Sequence, residues 1–167
     1  MEYFCLQQDM DFSPNLILTG LSNVCTKDDF IPEKAFDIPD HSVVYPISKK
    51  ENQYIDILSQ QFFMVTEMVK EVFSLYVPEI KYKVFCVIDN RYKIYEYYFA
   101  PILSRVSYKD MHPDPASLEI TAEQIGDKPI FRIDSQYDNI VVVSLEIAES
   151  LLRREIVGAK FLPVHFA

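Results

Sequence analysis

The sequence predicts an α+β fold: a single domain in which a mostly antiparallel sheet carries about two main helices packed on one face. Three observations predict it. Residues 80–103 alternate apolar and polar side chains on either side of Asp89-Asn90-Arg91, the pattern of a β-hairpin. Two apolar stripes recur at helical spacing, Met68/Val69, Val72/Phe73, Tyr76 and Leu145, Ala148, Leu151/Leu152, and each follows a hydroxyl residue suited to an N-cap. Short apolar runs at 129–133, 140–143 and 160–164 have the length of strands and complete the sheet.

In chain order, Glu2 to Leu6 reads as a short strand. Asp28-Asp29, Pro32, Pro39-Asp40 and Pro46 then interrupt the chain too often for long elements. Residues 1–53 therefore read as a loop-rich acidic part, and 54–167 as the core module. The run Phe62-Phe63-Met64-Val65 ends at Thr66, which caps a helix that Val77-Pro78 stops. In the hairpin, Ile80, Tyr82, Val84, Cys86 and Ile88 form one face, while Lys81 and Lys83 mark the opposite face as wet. Tyr92 to Phe99 runs back, and Pro101 closes that strand. Tyr108 to Pro115 is a turn-rich loop, and Ser117 to Thr121 is a further short strand. Ile140 to Val143, bounded by Asp138-Asn139, leads through Ser144 into the second helix. Arg153-Arg154 complement the negative end of that helix. Gly158 supplies a left-handed break before a last strand at Lys160 to Val164. Residues 65–73 echo 143–151, each an apolar strand end, a hydroxyl and a helix, which two strand–helix units share through common physics.

Charge and composition exclude several function classes. The 167 residues carry 25 Asp+Glu against 16 Lys+Arg, a net charge of −9, without the basic stripe that phosphate contact needs. Residues 1–60 hold ten acids and four bases, residues 61–115 seven of each, and residues 116–167 eight acids and five bases, so the acidity gathers before residue 60. No signal-like segment opens the chain, and no apolar run approaches the ~20 residues of a membrane span. Cys5, Cys25 and Cys86 form no CxxC pair, which fits free thiols in a cytoplasmic protein. Three glycines are too few for a phosphate-cradling loop. His41, His112 and His165 lack metal-ligand spacing, and no serine or cysteine stands in a nucleophile motif. No enzyme, cofactor or metal is expected. Glu146 and Glu149 read as a solvated helix face with Glu149 pairing Arg153. The aromatics Tyr92, Tyr95, Tyr97, Tyr98 and Phe99 could stack nucleobases, but with few basic residues among them they read as packing, with protruding tyrosines as interface anchors.

Three stretches resemble an immunity-protein family of bacterial polymorphic toxin systems, the family typified by a myxobacterial immunity protein. These are Asp56-Ile57-Leu58 through Val65-Thr66-Glu67-Met68, then Lys128-Pro129-Ile130-Phe131-Arg132-Ile133, and finally Val142-Val143-Ser144 with Glu149 to Arg154 and Gly158-Ala159-Lys160-Phe161. The resemblance implies a protein that binds a cognate toxin in the producer's cytosol and neutralises it, with no catalytic residues of its own. The alternative is a regulatory or structural interaction domain without enzymatic activity. The acidic residues Asp28, Asp29, Glu33, Asp37 and Asp40 are the expected partner-binding set, and a basic nuclease-type toxin is the natural partner for them. Neither nucleic acid nor membrane is an expected partner, and the oligomeric state is left open.

Overall fold

Short apolar runs broken by Pro, Asn and Asp produce many short strands, and the computed structural model, described for residues 2–12, 16–47, 50–110, 112–135 and 140–167, shows thirteen of them with three α-helices among these residues. The strands are β1 (Tyr3–Gln8), β2 (Leu18–Thr19), β3 (His41–Pro46), β4 (Ile57–Leu58), β5 (Met64–Val65), β6 (Tyr82–Asp89), β7 (Ile94–Pro101), β8 (Arg105–Val106), β9 (Glu119–Ile120), β10 (Ile130–Ile133), β11 (Val141–Ser144), β12 (Ala159–Pro163) and β13 (His165–Phe166). The helices are α1 (Glu67–Tyr76), α2 (Ala122–Ile125) and α3 (Leu145–Arg153). The class is α+β, as the sequence predicts.

The strands expected in one sheet divide between two. One sheet has the order β2-β3-β6-β7-β5-β4, and the other β12-β1-β11-β10-β8, with β13 and β9 forming a separate pair. The division follows from β1. Its apolar side chains point both ways, Tyr3 and Cys5 into one cluster and Leu6 into another, so it fits between two neighbours as a central strand. It pairs antiparallel with β11 on one side and β12 on the other. In β11, Val141 and Val143 face the helices α1 and α3 while Val142 shares a cluster with Ile120 of β9 and Ile125 of α2, which explains a β-branched run with no polar alternation.

Helices α1 and α3 pack against each other on the Leu6–Val141–Val143 side of this sheet. Both begin as predicted: Thr66 and Ser144 hold extended backbone, with ψ of 168° and 162°, directly before the first helical residue. The short α2 was not anticipated. It buries Ile125 on the sheet's other face and starts with a capping box in which Thr121 and Gln124 satisfy each other's amides.

The hairpin β6–β7 belongs to the six-stranded sheet, in full register from Tyr82↔Pro101 to Asp89↔Ile94. Its inward face carries Phe85, Val87, Tyr98 and Ala100, all fully buried. This reverses the faces read from the sequence, since Lys83 alternates with Phe85 and so lies on the core side. Both faces of this strand are apolar between residues 84 and 88, and alternation alone did not separate them. Residues 16–38 close this core with Leu16, Leu18, Leu21, Cys25, Phe30 and Ile38. The part read as loop-rich also contributes β3, a six-residue strand lying parallel to β6. Asp138-Asn139, the expected boundary before β11, lie outside the described residues.

Candidate interaction surfaces

The five acids of the expected docking set all lie in the segment that caps the hairpin core, and they do different things. Asp29 accepts from the Thr26 amide at 2.7 Å and the Thr26 hydroxyl at 3.2 Å, closing a single 3₁₀ turn. Asp28 places its charge near Arg132, a buried residue of β10 whose guanidinium donates to the Phe30 carbonyl at 3.3 Å. Burial disfavours the Arg132 charge and Asp28 offsets part of that cost. Asp40 accepts from Lys83 Nζ at 2.8 Å. That hydrogen bond, together with the lysine's charge, holds the Asp40 carboxyl below the usual carboxylate range. Glu33 and Asp37 are exposed, and their side chains take no hydrogen bond or ion pair among the described residues.

Between Glu33 and Asp37 in the chain stands Phe36, 78% exposed and the most exposed large apolar side chain among the described residues. It lines an open groove of about 790 Å³ that also receives Asp40, Glu79, Lys81 and Lys83. The charge pattern of the sequence singles out the acids and leaves Phe36 unmarked. Its exposure follows from the structure: Ala35 and Ile38 are buried, so the helical turn over 35–37 turns Phe36 outward.

A second surface covers the outward face of the six-stranded sheet. Register places Val43 beside Cys86, Cys86 beside Tyr97 and Ile88 beside Tyr95. Tyr95 and Tyr97 are 66% and 50% exposed, their rings edge-on at 6.0 Å. With Cys86 and Ile88 they line a shallow depression of about 430 Å³, rimmed by Asn90 and Lys93. The aromatic cluster therefore splits by alternation. Tyr98 is buried and donates its hydroxyl to the Ile55 carbonyl at 2.8 Å, and burial raises its phenol pKa above the ordinary value. Phe99 lies under Lys70 of α1, whose ammonium sits 4.4 Å from the ring centroid.

Among the described residues no group of three or more His, Cys, Asp or Glu is placed to hold a metal ion, and no helix is long and apolar enough to cross a membrane. Glu149 pairs with Arg153 at 3.1 Å, the i,i+4 contact read from the sequence. Cys5 and Cys25 are buried free thiols whose pKa values burial pushes up to about 12 and about 11, with Asp29 adding to the latter, and Cys86 is partly exposed.

Two of the stretches quoted above meet at one point. Asp56 Oδ1 accepts from the Thr66 hydroxyl and Asp56 Oδ2 from the Val157 amide, each at 2.6 Å. Gly158 lies so close to Ile55 that a Cβ there would fall 2.5 Å from the isoleucine Cβ. The other quoted stretch supplies Phe131, fully buried in β10. These residues are scaffold. No family model matches the chain, and no curated protein matches it.

Proposed function

We propose that this chain is an immunity protein that binds a cognate bacterial toxin in the producing cell's cytosol and neutralises it by occluding its active site. The observation that carries the reading is Phe36: an aromatic side chain 78% exposed, flanked in the chain by exposed Glu33 and Asp37 and set at the lip of a groove. Aromatic anchors inside a charged rim supply most of the binding energy of protein interfaces, while the rim's charges govern encounter rate. The toxin as partner rests on the resemblance of the three stretches, and its basic character on the acids around Phe36.

The test is to search the neighbouring genes for a toxin domain and to co-express any such domain with this chain. Cells carrying both should survive, and Phe36→Ala combined with Asp37→Asn should restore killing. Killing as fast as by toxin alone overturns the reading. Association should also slow several-fold from low to physiological salt, because steering by exposed charges is screened.

A further inference from the structure

We propose that the bare outward face of the six-stranded sheet is a homodimer contact, through which two copies of this chain meet by Val43, Tyr45, Cys86, Ile88, Tyr95 and Tyr97. Helix α1 covers only one end of this face, where Lys70 sits 4.4 Å from the Phe99 ring centroid and 5.8 Å from that of Tyr82. Toward the hairpin turn the face is open: Cys86 and Ile88 are half-buried, and Val43, Tyr45, Tyr95 and Tyr97 are each about half exposed or more. Isolated exposed apolar residues are ordinary, but a continuous strip across three adjacent strands marks a contact surface.

Charge selects the occupant. A chain of net −9 repels its own copy unless the two meet where carboxylates are absent. This strip is such a place. Asp89, at the end of β6, is 3% exposed and alternates onto the core side. Glu96 stands opposite Val87, so it also projects to the other face. Of the two charged residues lining the depression between β6 and β7, Asp89 is buried and Lys93 is exposed. At this depression a basic partner meets no exposed carboxylate and an acidic one a single lysine, whereas a second neutral, apolar strip suits it.

Shape agrees with a twofold. The row Val43–Cys86–Tyr97 runs from a small side chain through a thiol to a large ring. An axis over Cys86 sets Val43 of one copy against Tyr97 of the other and brings the two thiols together, giving an isologous contact. Three tyrosines about half exposed or more offer about 300 Å² per copy, and Val43, Ile88 and Cys86 bring the contact to about 450 Å², the size of a small, concentration-dependent interface below the ~800 Å² per partner of standard ones. The Phe36 groove opens beside Lys83, on the opposite face of β6, so this contact stands independently of the proposed toxin site.

Sedimentation equilibrium of the full chain should give twice the 19.5 kDa chain mass at micromolar concentration. Tyr95→Asp with Tyr97→Asp, both at exposed positions, should weaken the dimer on the order of 100-fold with an unchanged circular dichroism spectrum. In the native dimer a short bismaleimide should join the two Cys86 thiols into a covalent dimer that Cys86→Ser abolishes. A monomer at high micromolar concentration overturns the proposal. So does a dimer that survives the double substitution, or one that the reagent does not join at Cys86.

Discussion

Lys83 reaches out from the core face of β6 to place its ammonium 2.8 Å from Asp40 Oδ1, the lysine side chain 12% exposed and the carboxylate 82% exposed. A largely buried cation thus depends on an exposed anion just before β3. The pair pins the acidic segment to the hairpin, and in that segment Glu33 and Asp37, rather than Asp40, are the acids that take no hydrogen bond or ion pair among the described residues.

This pair makes stability depend on acidity. Lys83 lowers the folded-state pKa of Asp40, so its contribution is complete above the unfolded carboxylate value of ~3.9 and fades as pH falls through the lower folded value. Asp40→Asn should remove that component. Urea midpoints measured at pH 7 and pH 3 should differ less in the variant than in the parent, and equal differences would refute the account.

Asp56 ties the start of α1 to the chain leading into β12, with one carboxylate oxygen for each. Asp56→Ala should cost about 1–3 kcal/mol in urea unfolding, the usual consequence of removing a charged acceptor from two donors. Thr66→Val should cost less, because the Val157 amide keeps its partner.

Gly158 has φ of +78° and no room for a methyl group against Ile55. Left-handed strain and overpacking act together, so Gly158→Ala should destabilise by about 2–4 kcal/mol. Gly20, also at positive φ but with nothing within 4 Å of its Cβ position, should show a smaller loss as Gly20→Ala. Comparing the two by thermal unfolding separates steric conflict from backbone strain.

The thiols should react in order of exposure. At concentrations low enough to separate the proposed dimer, a disulfide reagent should modify Cys86 in the folded chain, while Cys5 and Cys25 wait for unfolding. Burial raises the Cys5 pKa to about 12, so the folded state holds that proton after the unfolded chain, near ~8.5, has released it. Stability should therefore fall as pH rises between those values, and Cys5→Ala should shorten the fall. Rapid native labelling of all three thiols would contradict the burial described here.

Much of the fold was legible in the sequence. The helices after Thr66 and Ser144, the hairpin turn and the Gly158 break each carry a local signature that neighbouring residues enforce. Sheet membership was not legible, because pairing β1 with β11 and β12 depends on residues far apart in the chain. Nor was the reversed face of β6, where Phe85 and Val87 on one side and Val84, Cys86 and Ile88 on the other are equally apolar. At the acidic segment the charges were plain, but their division between internal work and open surface was not. Asp29 and Thr26 form a recognisable capping pair, whereas the Asp40–Lys83 pair needs β3 to lie along β6. Phe36 was readable only once Ala35 and Ile38 were known to point inward.

The central position of β1 governs how the chain is made. Leu6 pairs with Val141 on one side and Phe161 on the other, so the earliest strand of this sheet in chain order waits for two that follow it by more than 130 residues. At ~5–20 residues per second, β1 spends roughly 7–30 s outside the ribosome with both hydrogen-bonding edges open and apolar side chains on both faces. The five-stranded sheet therefore assembles after translation has passed its last strand. A nascent or truncated chain lacking β11 presents a two-edged strand to chaperones, or to another copy of itself.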